Sequence, residues 1–426
     1  MDAREIRRMK PELTRYLNRF ADCFASKDTQ AHLPVYVEGQ LSDLPRKSAE
    51  PIALAAGVPV RTLQEFLSQL RWDEDALRTR LQKVVAAEHA SPHSVGIIDE
   101  ASDVKKGTKT PGVQRQWCGC SGKTENCIVT VHLAYAVDDF HCLLDGELFL
   151  PESWSEDRAR CREAGIPDEM VYRPKWEITL EQYDRAITNG IPFEWLTFDE
   201  GYGSKGPFLK ALSKRSQKYV AEVPVTMTGW LTPPKVTSRR SQRTGRSARV
   251  PRLTKDSRRP QRIDELLNSH PKLRDQAWTR YRIKDGEKGS KVWEVWEVKH
   301  AMLVRPTKQG LPDERLHLLV ARNLLDEAEV KYFFSNAPEE TPVTTLLLVA
   351  FSRWRVERCF QDQKQDIGLD AWEGRRYLGL KRHLILSSIS YLFLARMRTK
   401  LRGKTSGTDH LSSARGGLGL GAELVA

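Results

Sequence analysis

Ser352-Arg353-Trp354-Arg355-Val356-Glu357 runs on through Phe360, Gln361 and Lys364 to Gly368. An apolar run, Thr344 to Phe351, precedes it, and no Gly or Pro interrupts the chain until Gly368. That length and composition predict a helix rather than a strand. At about 100° per residue, each of Arg353, Glu357, Gln361 and Lys364 falls within roughly 40° of its nearest neighbour on one face. A carboxylate therefore stands between two cations, on a helix whose first half reads as buried. Taken alone, such a ladder is an ordinary solvated i,i+4 pattern. Its weight comes from acids and cations elsewhere in the chain.

The chain has 426 residues, enough for two or three domains with their own cores. It carries 68 Lys and Arg against 56 acids, a net charge of +12. Acids this abundant imply a folded protein with a basic surface. The sign of the imbalance points to a polyanionic partner, nucleic acid ahead of an anionic membrane. No apolar run reaches the roughly 18 residues a membrane span needs, and Leu384 to Ala395 is too short. The start, Met-Asp-Ala-Arg-Glu-Ile-Arg-Arg, lacks a secretory apolar core. Seven cysteines, an odd number, argue against a disulfide framework and for a reducing cytoplasm.

Helical spacing covers 4–24, then, after a Pro- and Gly-containing link, about 48–57, 61–70 and 73–87. The pair around Gly57 has the outline of a helix-turn-helix. From Val95 the texture changes. Val95-Gly96-Ile97-Ile98-Asp99 reads as a strand ending on an acid, and Cys127 to Val137 and Phe140 to Leu150 read as strands about the turn Asp138-Asp139. Helices are expected at about 155–164, 179–188 and 205–214. Phe193 to Asp199 is a second strand ending on an acid, and Lys218 to Val223 a further strand. Residues 235–262 hold eleven Lys and Arg, among them Arg239, Arg240, Arg243 and Arg246, against the single acid Asp256. That segment reads as a mobile basic loop. Strands follow at Ala277–Ile283, Lys291–Val304, Leu316–Arg322 and Val330–Ser335, and a last helix at about 379–401. The end, Ser412 to Gly421, is Gly-rich and reads as disordered.

Three acids stand where chemistry is plausible: Asp99, Asp199 and Glu357. A strand end projects a side chain into the crevice where α/β sheets bind ligands. Clustered carboxylates repel unless divalent cations occupy them, and oxygen ligands with a phosphate substrate suit Mg²⁺ or Mn²⁺. Two such ions activate a nucleophile and stabilise the leaving oxygen at phosphorus. For each acid singly, a turn or cap explains its position as well. Cys118, Cys120, Cys127 and His132 lack a common zinc spacing and read as buried thiols and a turn. Trp293 and Trp296 fall on opposite faces of a strand. One is expected to pack, and the other, with Trp296 favoured, to stand exposed as a stacking platform for DNA.

With Asp99, Asp199 in Asp-Glu-Gly-Tyr-Gly, and Arg353-x3-Glu357-x6-Lys364, the sequence resembles a DDE transposase of a bacterial insertion sequence. It is similar to the group whose ribonuclease H-like domain is split by a β-strand insertion. Lys105-Lys106-Gly107, Gln116-Trp117-Cys118-Gly119 and Gly122-Lys123-x2-Asn126-Cys127 resemble one branch of that group. Where the family's signature begins with Tyr, this chain has Ala350. The resemblance implies an α/β fold, a ribonuclease H-like mixed sheet interrupted by a β-rich insertion, with helices at both ends. It implies a helical N-terminal DNA-binding domain at 1–90, a catalytic core at 91–230 and 341–402, a basic loop and β insertion at 231–340, and a tail at 403–426. It implies catalytic and metal-binding Asp99, Asp199 and Glu357 with two Mg²⁺ or Mn²⁺ ions, and phosphate contacts from Arg353 and Lys364. The partners implied are terminal inverted repeats and target DNA, bound by a homodimer in the bacterial cytoplasm at the nucleoid, with no membrane. The route implied is cut-and-paste through a DNA hairpin, with a flipped base held by Trp296 or Trp293. The rival reading is a catalytically inactive DNA-binding protein derived from such an element.

Overall fold

The computed structural model describes residues 3–240, 249–284, 293–405 and 422–424. Two compact units form: Met1–Phe193 with Trp354–Gly419, and Glu194–Arg353 with Leu420–Ala426. The chain passes from the second to the first inside the stretch quoted above, between Arg353 and Trp354.

The first unit begins with helices α1 (Ala3–Leu17), α2 (Lys27–Gln30), α3 (His32–Leu41), α4 (Ala49–Ala55), α5 (Val60–Ser68) and α6 (Glu74–His89). Helices α2 and α3 occupy what the sequence suggested was a link. Pro34 sits in the first turn of α3, where its missing N–H costs nothing. Gly39 is there for proximity, since a Cβ on it would lie 2.3 Å from Ile52 Cγ2 of α4. The long C-terminal helix α16 (Tyr377–Thr405) packs on this group. Its contacts are polar as well as apolar. Gln40 donates to Ser387 Oγ at 2.9 Å, and Ser390 Oγ donates to Gln40 Oε1 at 2.8 Å. Arg382, 3 % exposed, donates to the carbonyls of Phe66, Leu67, Leu70 and Trp72 and so caps the end of α5. Among the described residues no helix is long and apolar enough to cross a membrane.

The sheet of this unit comprises β1 (Val95–Val104), β2 (Gln114–Cys118), β3 (Lys123–Val137) and β4 (Phe140–Leu148), all antiparallel. β3 is central, with β1 along one edge and β2 and β4 along the other. β1 does not stop at Asp99 as expected. It continues five residues through Glu100, Ser102 and Asp103, with Asp99 opposite His132. The apolar run ends at Asp99, but the ladder bonds are backbone bonds and need no apolar side chain. The short helices α7 (Glu152–Glu156) and α8 (Arg158–Ala164) follow, then α9 (Lys175–Thr188), which packs on β3 with Gln182 donating to Val131 O at 2.9 Å.

In the second unit, β5 (Trp195–Phe198) and β6 (Lys218–Glu222) are parallel, joined by α10 (Glu200–Gly203) and α11 (Gly206–Lys214). A parallel pair requires such a crossover. Beyond β6 the order is β14 (Val330–Ser335), β13 (Pro312–Asn323), β12 (Trp293–Pro306) and β11 (Thr279–Lys284), antiparallel throughout, with β15 (Ala422–Leu424) beside β11. The chain is thus mixed α/β, with a β-rich segment inserted between β6 and α14 (Val343–Ala350).

Where it is described, the expected mobile basic loop forms strands. After β7 (Thr228–Gly229) come β8 (Val236–Arg240) and β9 (Arg249–Leu253), paired from Val236↔Leu253 to Arg240↔Arg249. Then β10 (Gln261–Arg262) pairs with β7, and α12 (Ile263–Ser269) and α13 (Pro271–Arg274) follow. A lone two-stranded ladder is marginal in water, and this one is fastened at its base. Thr254 N and Ser257 Oγ donate to Lys235 O at 3.0 and 2.9 Å, and buried Trp230 donates to Arg258 O at 2.7 Å. Arg243, Arg246 and the Gly-rich stretch Ser412–Gly421 lie outside the described residues.

Candidate active site

Asp99 is half-buried in the middle of β1, and its Oδ1 accepts the N–H of Glu100 at 2.7 Å. Across the ladder, His132 is fully buried and its Nε2 meets Thr130 Oγ1 at 2.7 Å. On the other side of His132 a side chain at Gly146 is excluded, because its Cβ would lie 2.6 Å from His132 Cε1. Burial pushes the imidazole down to about 3, so it stays neutral as part of the core.

Helix α15 (Trp354–Asp362) lies against β1 and β4. Val356, Cys359 and Phe360 are buried, and Glu357 is exposed. Phe360 packs edge-on against His132, ring centroids 5.1 Å apart. Further along, Lys364 Nζ donates to Ser102 O at 3.1 Å. Two contacts therefore tie the helix across β1: one at the residue opposite Asp99, one three residues beyond it. Asp99 and Glu357 accordingly stand on adjacent packed elements of a single unit.

The expected uninterrupted helix has three windings. α14 is followed by a 3₁₀ turn, Phe351–Arg353, then α15, then a π turn, Gln363–Ile367, ending at Gly368 with φ 80°. Ser352 Oγ donates to Val349 O at 2.7 Å and tightens the first change. Along these windings Glu357 and Gln361 are exposed, and Arg353 and Lys364 are half-buried. Of the paired arginines, Arg355 is 3 % exposed, facing the charges of Asp138 and Asp139. Sequence spacing does not separate it from Arg353.

Asp199 belongs to the second unit. It follows β5 directly and caps α10, with Oδ1 accepting the N–H of Tyr202 at 3.3 Å. The turn needs its glycine, since a Cβ on Gly203 would lie 1.9 Å from Glu222 O. Among the described residues no group of three or more His, Cys, Asp or Glu is placed to hold a metal ion. The cysteines likewise form no such site. Cys118 and Cys120 bring their sulfurs to 3.2 Å, and Cys127 packs with Cys118 and Val129 in an apolar cluster.

The aromatic expectation is corrected. Trp296 is 2 % exposed, not on an open face, and lies 4.7 Å from the ring of Phe351. Alternation along a strand separates the two faces but does not say which is covered; here Phe351 covers that of Trp296. Trp293 begins β12, and Arg239 and Arg240 end β8. Half-buried Trp278 has two cations near its ring, Lys299 Nζ 4.9 Å and the Arg322 guanidinium 4.6 Å from the ring centre. Trp117 on β2 is 66 % exposed.

Sequence spacing also left unexplained why Lys105-Lys106-Gly107 and Asn126 occur together. Asn126 Nδ2 donates to the carbonyls of Lys105 and Gly107 at 2.5 and 2.9 Å, and Lys105 N donates to Asn126 O at 2.8 Å. The two motifs are one clamped turn at the end of β1.

A mixed α/β chain with an Asp on a core strand and a Glu on the helix packed against it is an architecture of the ribonuclease H-like nucleases. Residues 19–290 match the family described as DDE superfamily endonuclease, and the chain belongs to that family. It is 32% identical over 188 residues to a protein named probable transposase for insertion sequence element IS701, from Microchaete diplosiphon. That match covers 43% of this chain and 46% of the relative, so the chain spans under half the relative's length.

Proposed function

We propose that this chain is a DNA transposase that cleaves and joins strands at the ends of an insertion sequence. One observation carries the reading: α15 is fastened across β1 by Phe360 on His132 and Lys364 on Ser102. This presents exposed Glu357 beside the strand that bears Asp99. Asp199 is proposed as the third carboxylate, on the strength of its strand-end position and sequence context. All three offer hard oxygen donors, which fit Mg²⁺ or Mn²⁺. When bound, a pair of such ions supplies activation of the nucleophile and charge stabilisation at phosphorus. Arg353 and Lys364 are assigned to end phosphates. Lys364 retains two ammonium protons beyond the one given to Ser102.

In this reading the helical N-terminal region and the basic surface hold terminal inverted repeats, and two copies act on paired ends. The route runs through a hairpin. Trp278, with two cations near its ring, suits a base taken from the stack better than buried Trp296 does. The test is nicking of a plasmid carrying the element's ends, with Mg²⁺ or Mn²⁺, resolved on a denaturing gel. Asp99→Asn, Asp199→Asn and Glu357→Gln should each lower nicking by about 10²–10³-fold or more while end binding persists. Wild type that binds the ends but never nicks them supports the inactive, DNA-binding reading instead. Unchanged nicking in any one variant removes that residue from the site.

A further inference from the structure

We infer that a pocket of about 590 Å³ in the first unit binds the phosphodiester backbone of DNA beside the cleavage site. The inference rests on the proposed nucleic-acid substrate and names where the strand runs. The walls are the end of β1, the clamped turn Lys105–Gly107, the loop before α4, and the chain from Lys364 to Arg375. Seven Lys and Arg side chains line it against three acids.

The manner in which the cations are held is the argument. Buried Lys47 donates to Gln40 O at 2.8 Å and also to Asp366 O. Lys105 donates to Trp372 O at 2.6 Å, and Lys364 to Ser102 O at 3.1 Å. A carbonyl fixes an ammonium in place without neutralising its charge, whereas a carboxylate would cancel it. Carboxylates pair with three of the seven cations, Asp103 with Lys105, Glu373 with Arg46 and, from outside the pocket, Glu163 with Lys109. Lys106 and Arg375 make no hydrogen bond or ion pair among the described residues, and both are exposed. The pocket therefore presents a fixed excess of positive charge, which an anion would satisfy.

Trp372 adds a rigid wall. It is 8 % exposed and lines the pocket. Its ring is pressed against glycines, since a Cβ on Gly374 or Gly379 would lie 2.1 or 2.3 Å from it. The elements bearing Asp99 and Glu357 lead straight here. Asp103 lies four residues beyond Asp99, about 13 Å along a strand, and Lys364 seven beyond Glu357, about 10 Å along a helix. With one phosphate per about 3.4 Å of duplex axis on each strand, the pocket meets the backbone roughly three to four nucleotides from the cut.

The experiment titrates the full chain with a fluorescein-labelled random-sequence duplex between about 50 and 200 mM salt. Lys106→Gln with Arg375→Gln should make the slope of log K against log salt shallower by about 1.8. Lys106→Arg with Arg375→Lys should keep it. The second readout needs no substitution: the duplex should protect Lys106 and Lys109 from acetylation by an N-hydroxysuccinimide ester, read by mass spectrometry, while exposed Lys214 at the end of α11 stays reactive. An unchanged slope, unprotected lysines, or no binding by wild type overturns the pocket. Absent nicking with an altered slope counts against the cleavage reading alone.

Discussion

Two basic regions of this protein are built in opposite ways. In the first unit, Lys47, Lys105 and Lys364 are held by backbone carbonyls around a walled pocket. In the second, Lys235, Arg252, Lys255, Arg258 and Arg259 stand exposed on and around the β8–β9 ladder. The hairpin offers charge density with few constraints on position. The pocket offers fewer charges at fixed places, at the cost of desolvating some of them. One arrangement suits screening of phosphates wherever they fall, and the other suits holding a strand in register.

The largest consequence of that contrast is in stability. Lys47→Met removes two carbonyl-bound donors from a buried position. It should destabilise the first unit by about 2–3 kcal/mol in urea unfolding followed by tryptophan fluorescence. Arg252→Gln should stay within about 0.5 kcal/mol. Equal effects would dissolve the distinction.

The second consequence reverses the order. Neutralising Arg252, Lys255 and Arg259 together should flatten the salt slope of DNA binding by about 2.7, with unfolding unchanged. Over the range from about 50 to 200 mM salt that is roughly a forty-fold difference. An unchanged slope would make the hairpin a solvated surface and leave the pocket as the phosphate site.

The third consequence is in pH. The wall carrying Asp99 is backed by His132, whose neutral form burial favours, pushing it down to about 3. The unfolded chain takes up a proton near pH 6.5, and the folded one does not. Stability is therefore present above pH 6.5 and is lost as pH falls toward 3. At pH 5 the loss from this group is about 2 kcal/mol. Buried His383, pushed down to about 4, acts with the same sign in the same unit. Acid should thus loosen the first unit, and His132→Gln should flatten the fall between pH 6.5 and 5. Identical acid profiles in the variant and wild type would show that His132 is not desolvated as described.

Local patterns made the strands of the insertion, the parallel pair β5 and β6, and the helices α4 to α6 legible in the sequence. Period-two and period-3.6 apolar spacing is set by residues that share one face, and both periods are written along the chain. The composition of 235–262 likewise announced its charge. It did not announce the ladder, because the anchor is Trp230, outside the segment, and backbone bonds carry no signature in side-chain charge. α3 was hidden by Pro34 and Gly39, each acceptable for a reason that lies in position or in a neighbouring helix. β1 ran past Asp99 because β3 was there to pair with it.

Asp99 and Glu357 were chosen by residue type and spacing, and sequence alone could carry that far. That they sit on adjacent elements was decided by Phe360 meeting His132, a contact between residues more than two hundred positions apart. Which tryptophan is covered was decided by Phe351, and where Lys47 and Lys364 are held by carbonyls of distant segments. A sequence states what a side chain is able to donate, accept or bury. Only folding brings the partner, and burial and electrostatic field depend on everything that arrives with it.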